Sequence, residues 1–171
     1  MSILNNLPTF KVVEINRSTG LVAGHVLSNY AYEGATVTTT GRHDFLENGV
    51  IVGLNNDLTL DNFDATVHSQ PLLVYTEELL TFLPGLKYFA NEEDADGDIY
   101  PRVIGLYVGD TFTTNNYEED SAVAPAFAKV VAGVLTLQDT ADTNTLFAVE
   151  ESTLPTGDAA YTFTYIGSPI A

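Results

Sequence analysis

Apolar residues along this chain fall in short runs broken by Gly, Asn, Asp and Pro. The runs are FKVVEI (10–15), LVAGHVL (21–27), ATVTTT (35–40), GVIVGL (49–54), DLTL (57–60), PLLVYT (71–76), YPRVIGLYV (100–108), DTFTT (110–114), KVVAGVLTLQD (129–139), TLFAVEE (145–151) and AYTFTYI (160–166). Many are rich in β-branched and aromatic residues, which suit a pleated strand. The last alternates cleanly, with Tyr161, Phe163 and Tyr165 on one face and Thr162 and Thr164 on the other. That period of two marks a strand with one buried face. Strand starts spaced by about 8–12 residues predict an all-β chain, a compact β-sandwich or β-barrel-like domain. The run 100–108 is expected to bury Tyr107 or Val108 within its sheet.

At most one short helix competes with this pattern. TEELLTFL (76–83) sets Leu79, Leu80 and Leu83 at helical spacing behind Thr76, Glu77 and Glu78, and Pro84-Gly85 follows. A capping threonine, early acids and a terminating Pro-Gly fit a single helix. The same stretch also reads as a continuation of the preceding strand. No fixed-period repeat interrupts the chain. Joints are expected near Thr40-Gly41-Arg42 and across 115–125. Residues 1–40 hold too little apolar material for a core of their own. They are read as strands or an arm docking on a partner, and 41–171 as the β-rich core domain.

Charge narrows the function. The chain has 171 residues, 23 Asp and Glu against 6 Lys and Arg, and a net charge of −17. This argues against nucleic acid as a direct partner, because phosphate binding rests on clustered cations. Anionic membranes are disfavoured for the same reason. No run approaches the roughly 18 apolar residues of a membrane span. The opening residues lack the basic flank and apolar core expected of a secretory signal. With no cysteine, thiolate chemistry, disulfides and Cys-ligated metals are ruled out.

Few groups suggest chemistry. Acids concentrate between 91 and 120, and the sharpest piece is Asp94, Asp96 and Asp98 in DADGD. Carboxylates at alternate positions of a tight loop can converge on a hard cation, so these three are the candidate ligands of a weak Ca²⁺ site. The likeness to an EF-hand loop ends there. Position six, which needs Gly, is Ile99, and position twelve, which needs Glu, is Gly105. The plain reading is a solvated acidic turn, with no cofactor. His25, His43 and His68 share no metal-ligand spacing and read as loop or strand-end residues. Paired acids at Glu77/Glu78, Glu92/Glu93 and Glu150/Glu151 would be needed on opposite sides of a sugar cleft for glycoside hydrolysis. Adjacent pairs on an acidic chain without Trp argue against it. Neither a nucleophile elbow nor a phosphate-binding loop is present, so the expectation is no enzyme. Tyr88, Phe89, Tyr100 and Tyr107 cluster in the central block and are read chiefly as core, with interface anchoring as the alternative.

Three segments carry a resemblance: LENGVIVGL (46–54), QPLLVYTEEL (70–79) and LKYFANEEDADGDIYPRVIGLYVGDTFTTNNY (86–117). They resemble the small virion structural proteins of tailed bacteriophages known as capsid decoration or head auxiliary proteins. The correspondence runs through Pro71–Glu77, Phe89–Glu92, Pro101–Val108 and a hairpin at Gly109–Thr114, and more loosely through 129–138 and 145–152. It covers about two thirds of the chain, leaving 1–40 outside. The acidic EEDADGD replaces a short Gly-Lys loop. The resemblance implies a non-enzymatic virion protein, made in the host cytoplasm and located on the phage head surface. Its partner would be the major capsid protein, which it decorates or cements, with homo-oligomers such as trimers expected. A tail or tail-tube component and a Ca²⁺-dependent binding or adhesion module are the alternatives.

Overall fold

The computed structural model describes residues 11, 13–17, 26–27, 30–34, 46–75, 99–119 and 124–167. Among them are twelve strands and no helix. In chain order they are β1 (Val13–Arg17), β2 (Val26–Leu27), β3 (Ile51–Leu54), β4 (Leu60–Asn62), β5 (Leu72–Val74) and β6 (Val103–Gly105). The second half supplies β7 (Thr111–Thr114), β8 (Glu118–Glu119), β9 (Phe127–Val131), β10 (Val134–Gln138), β11 (Thr145–Thr153) and β12 (Ala159–Tyr165). They form a seven-stranded sheet in the order β1-β7-β12-β11-β9-β10-β8 and a five-stranded sheet in the order β2-β6-β5-β3-β4. Every strand pair is antiparallel except β8 with β10. The two sheets pack as a sandwich, as the strand spacing predicts.

The two sheets carry different sequence patterns for a physical reason. In the five-stranded sheet the central strands are unbroken apolar runs, because both of their faces are buried. Ile51, Leu73 and Ile104 stand in register on one face, and Ile51 and Leu73 enter the core shared with the larger sheet. On the other face Val52, Leu72, Val74 and Val103 pack with Tyr32, Leu46, Leu60 and Ile99 in a second core. The larger sheet instead alternates. Phe112, Phe147 and Phe163 are fully buried on its inner face. Phe112 and Phe163 stack at 5.5 Å, and Phe147 meets both edge-on at 5.9 and 6.1 Å, arrangements aromatic quadrupoles favour. On the opposite face Thr113 Oγ1 lies 2.8 Å from Thr162 Oγ1 and donates to Asn16 Oδ1 at 3.0 Å. A bulge between Thr145 and Phe147 turns both Leu146 and Phe147 into the shared core, which strict alternation would forbid.

Several sequence expectations change. The run 129–139 is a hairpin rather than one strand: β9 and β10 meet at Ala132-Gly133, where φ is +47° and +82°. Two successive positive φ values make the primed turn that matches strand twist. The strand predicted over 100–108 ends at Gly105, and Tyr107 and Val108 are surface residues, 37% and 70% exposed. Asp110 ends that strand: its carboxylate accepts the Tyr107 N–H at 2.9 Å, and its own N–H bonds the Tyr107 carbonyl at 2.9 Å. The Gly109–Thr114 segment is therefore no hairpin. It carries the chain from β6 in the smaller sheet to β7 in the larger one. Tyr100 is likewise exposed, at 41%, so neither it nor Tyr107 fills the core. The expected helix at 76–83, the joint at Thr40–Arg42, and Tyr88 and Phe89 lie outside the described residues. Within 1–40, β1 and β2 each pair at one edge of a sheet, β1 with β7 and β2 with β6.

Candidate functional site

Where the β3–β4 ribbon meets the β9–β10 hairpin, the following loop 63–70 encloses a half-open cleft of about 560 Å³. Its walls are Asp61, Asn62, Asp64, Val67, His68, Val131 and their neighbours. Among the described residues no Lys or Arg lines it.

The loop is built by short side chains bonding their own backbone, as Asp and Thr do in turns. Asp64 Oδ1 accepts the Thr66 N–H at 2.8 Å and the Thr66 hydroxyl at 2.7 Å. The Asp64 carbonyl accepts the N–H groups of Val67 and His68 at 3.1 and 2.8 Å. His68 then folds back and is buried. Its Nδ1 accepts the Asp64 N–H at 2.9 Å, so Nε2 carries the proton and donates to Asn55 Oδ1 at 3.0 Å. Asn55 in turn donates to Thr59 Oγ1 at 3.1 Å. Both nitrogens of His68 are thus spent, Nδ1 on closing the loop upon itself and Nε2 on holding it to the ribbon.

The hairpin wall is fastened by backbone. The Ile51 N–H donates to the Gly133 carbonyl at 2.8 Å, joining the two sheets. Tyr32 donates its hydroxyl to Asn62 Oδ1 at 2.7 Å. Burial pushes the Tyr32 phenol well up, and the nearby Asp61 charge adds to this. The Asp64 carboxyl is held below its ordinary 3.8, chiefly by the Thr66 hydroxyl and then by the Thr66 N–H. Asp57 is lowered in the same way by Thr59. Asp64 therefore stays ionised at neutral pH. Val67 and Val131, 69% and 50% exposed, add apolar surface to the cleft.

Asp94, Asp96 and Asp98 lie outside the described residues. Ile99, directly after them, is buried, and its carbonyl accepts the Tyr32 N–H at 2.8 Å. Among the described residues no three Asp, Glu or His side chains are grouped to hold a metal ion. Glu150 and Glu151 are consecutive on β11, pair opposite Thr162 and Tyr161, and are both exposed, so they project to opposite faces rather than toward one substrate. His25, His43, Glu77, Glu78, Glu92 and Glu93 lie outside the described residues. Sequence reading missed the cleft. The available signal was the turn-forming spacing of Asp64 with Thr66 beside a histidine, opposite the Ala-Gly of a hairpin.

Neither the family models nor the curated proteins nor the solved structures contain a match to this chain.

Proposed function

We propose that this chain is a non-enzymatic structural protein of a tailed-phage particle, decorating the head by binding the lattice of the major capsid protein. The observation that carries this reading is where the resemblance falls in the fold. Its described segments supply β3, β5, β6 and the crossover into β7, the strands around which the two sheets meet. A shared pattern lying in the core argues for a shared β module, with partner contacts left to loops and edges. The charge of −17 supports the same reading, since mutual repulsion keeps free copies apart before assembly.

Cosedimentation of the purified protein with the parent heads, after light scattering on the free protein, tests it. A monomer or trimer that pellets with heads at saturating, lattice-defined stoichiometry is the expected result. A protein that never binds heads, or that builds rings or tubes alone, overturns it and moves the assignment to the tail or away from the virion.

A further inference from the structure

We infer that the cleft between loop 63–70 and the β9–β10 hairpin is the docking site for a short segment of the partner protein that carries Lys or Arg beside an apolar residue. This deepens the proposed function by naming a contact and its chemistry, and rests on that reading.

The argument is complementarity of charge combined with shape. The cleft is about 560 Å³, large enough for two or three side chains, and opens to solvent. Its ionisable lining is Asp61 and Asp64 with buried His68, and among the described residues no Lys or Arg is part of either wall. Each aspartate already accepts from the backbone through Oδ1, Asp61 from Asn62 at 2.7 Å and Asp64 from Thr66 at 2.8 Å. Those bonds fix the carboxylates in place, so binding a cation orders little that is not already ordered. Asn62 and Asn144 add amide groups, and Val67 and Val131 add apolar area. A guanidinium or ammonium suits the carboxylates, and its aliphatic stem suits the valines. Such a segment would cover both exposed valines and place its cation against the two carboxylates. A second copy of this chain is the poorer occupant, because it brings 23 acids against 6 bases.

The test uses the whole protein and parent heads. Asp61→Asn/Asp64→Asn keeps the Oδ1 acceptors that hold the turns, and Val67→Ser/Val131→Ser alters only exposed positions, so both should fold. Glu118→Gln/Glu150→Gln removes the same charge elsewhere and serves as control. The expected result is roughly tenfold or greater loss of head binding for each cleft variant, little change for the control, and weaker wild-type binding as salt rises. Wild-type binding by the cleft variants overturns the inference while leaving the proposed function standing. Equal loss in the control overturns it as well, by assigning the effect to bulk charge. If light scattering shows a wild-type oligomer that the cleft variants dissolve, the occupant is a second copy and the inference fails. If wild-type protein does not bind heads at all, the proposed function fails and this contact fails with it.

Discussion

Gly53 lies directly under the imidazole of His68: a methyl group built on Gly53 would overlap the ring atoms Cγ, Nδ1 and Cδ2. A glycine inside a strand usually marks such a close approach. Gly53→Ala should push His68 off both of its hydrogen bonds and cost about 1–3 kcal/mol, the usual range for overpacking. His68→Ala alone should destabilise by leaving the Asp64 N–H without its acceptor. Together the two changes should cost clearly less than their sum, since the clash vanishes with the ring. Urea unfolding of the four proteins measures this, and strict additivity would refute the contact.

The β9–β10 turn should respond to its two residues in opposite senses. Ala132 adopts φ +47° without being glycine, a conformation that costs an L-residue about 1–2 kcal/mol. Ala132→Asn supplies the residue type this turn prefers and should raise stability by up to about 1 kcal/mol. Gly133 is different, because a Cβ there would meet Asn62 Oδ1 at 2.5 Å and the Ile51 carbonyl at 3.2 Å. Gly133→Ala should destabilise strongly by breaking the seam between the sheets. Thermal melts that rank the two variants the other way would contradict the turn geometry.

These two glycines also show what the sequence conceals. The sandwich was legible because alternation in AYTFTYI and unbroken runs in GVIVGL and PLLV answer to one or two buried faces. The hairpin inside KVVAGVLTLQ was not, since Ala-Gly is a weaker turn signal than Asn-Gly and both flanks are equally apolar. Tyr107 and Val108 were misread for a related reason. Their hydropathy continues the strand, and only the bond from Tyr107 to a buried Asp110 ends it. The cleft was invisible because Asp61, Asp64 and Val131 meet only after the two sheets pack. The DADGD motif, outside the described residues, rests on spacing alone.

The surface position of Val108 and the burial of Asp110 set opposite mutational outcomes. Val108→Asp should shift stability by no more than about 0.5 kcal/mol, because the side chain is 70% exposed. Asp110→Ala should be the damaging change. Asp110 is 1% exposed and its carboxylate satisfies the Tyr107 N–H at the crossover between sheets. Loss of that acceptor should cost about 1–3 kcal/mol. Chemical denaturation of the two variants beside wild type decides the matter.

Glu47 gives the fold a pH dependence of definite sign. It lies half-buried ahead of Asn48, whose carbonyl accepts the Asn116 side-chain N–H at 2.7 Å. Burial raises its carboxyl above the ordinary 4.5, and the attraction of Lys11 only partly offsets this. A carboxyl raised in the folded state binds its proton more tightly there than in the unfolded chain. Its contribution is therefore most favourable below the unfolded value and is lost as pH rises through the folded one. At about pH 7 the charged group opposes folding, so Glu47→Gln should raise the melting temperature. At about pH 3 the carboxyl is protonated in both states and close in shape to the amide, so the gain should vanish. A gain of equal size at both pH values would show that the substitution acts through packing instead of charge.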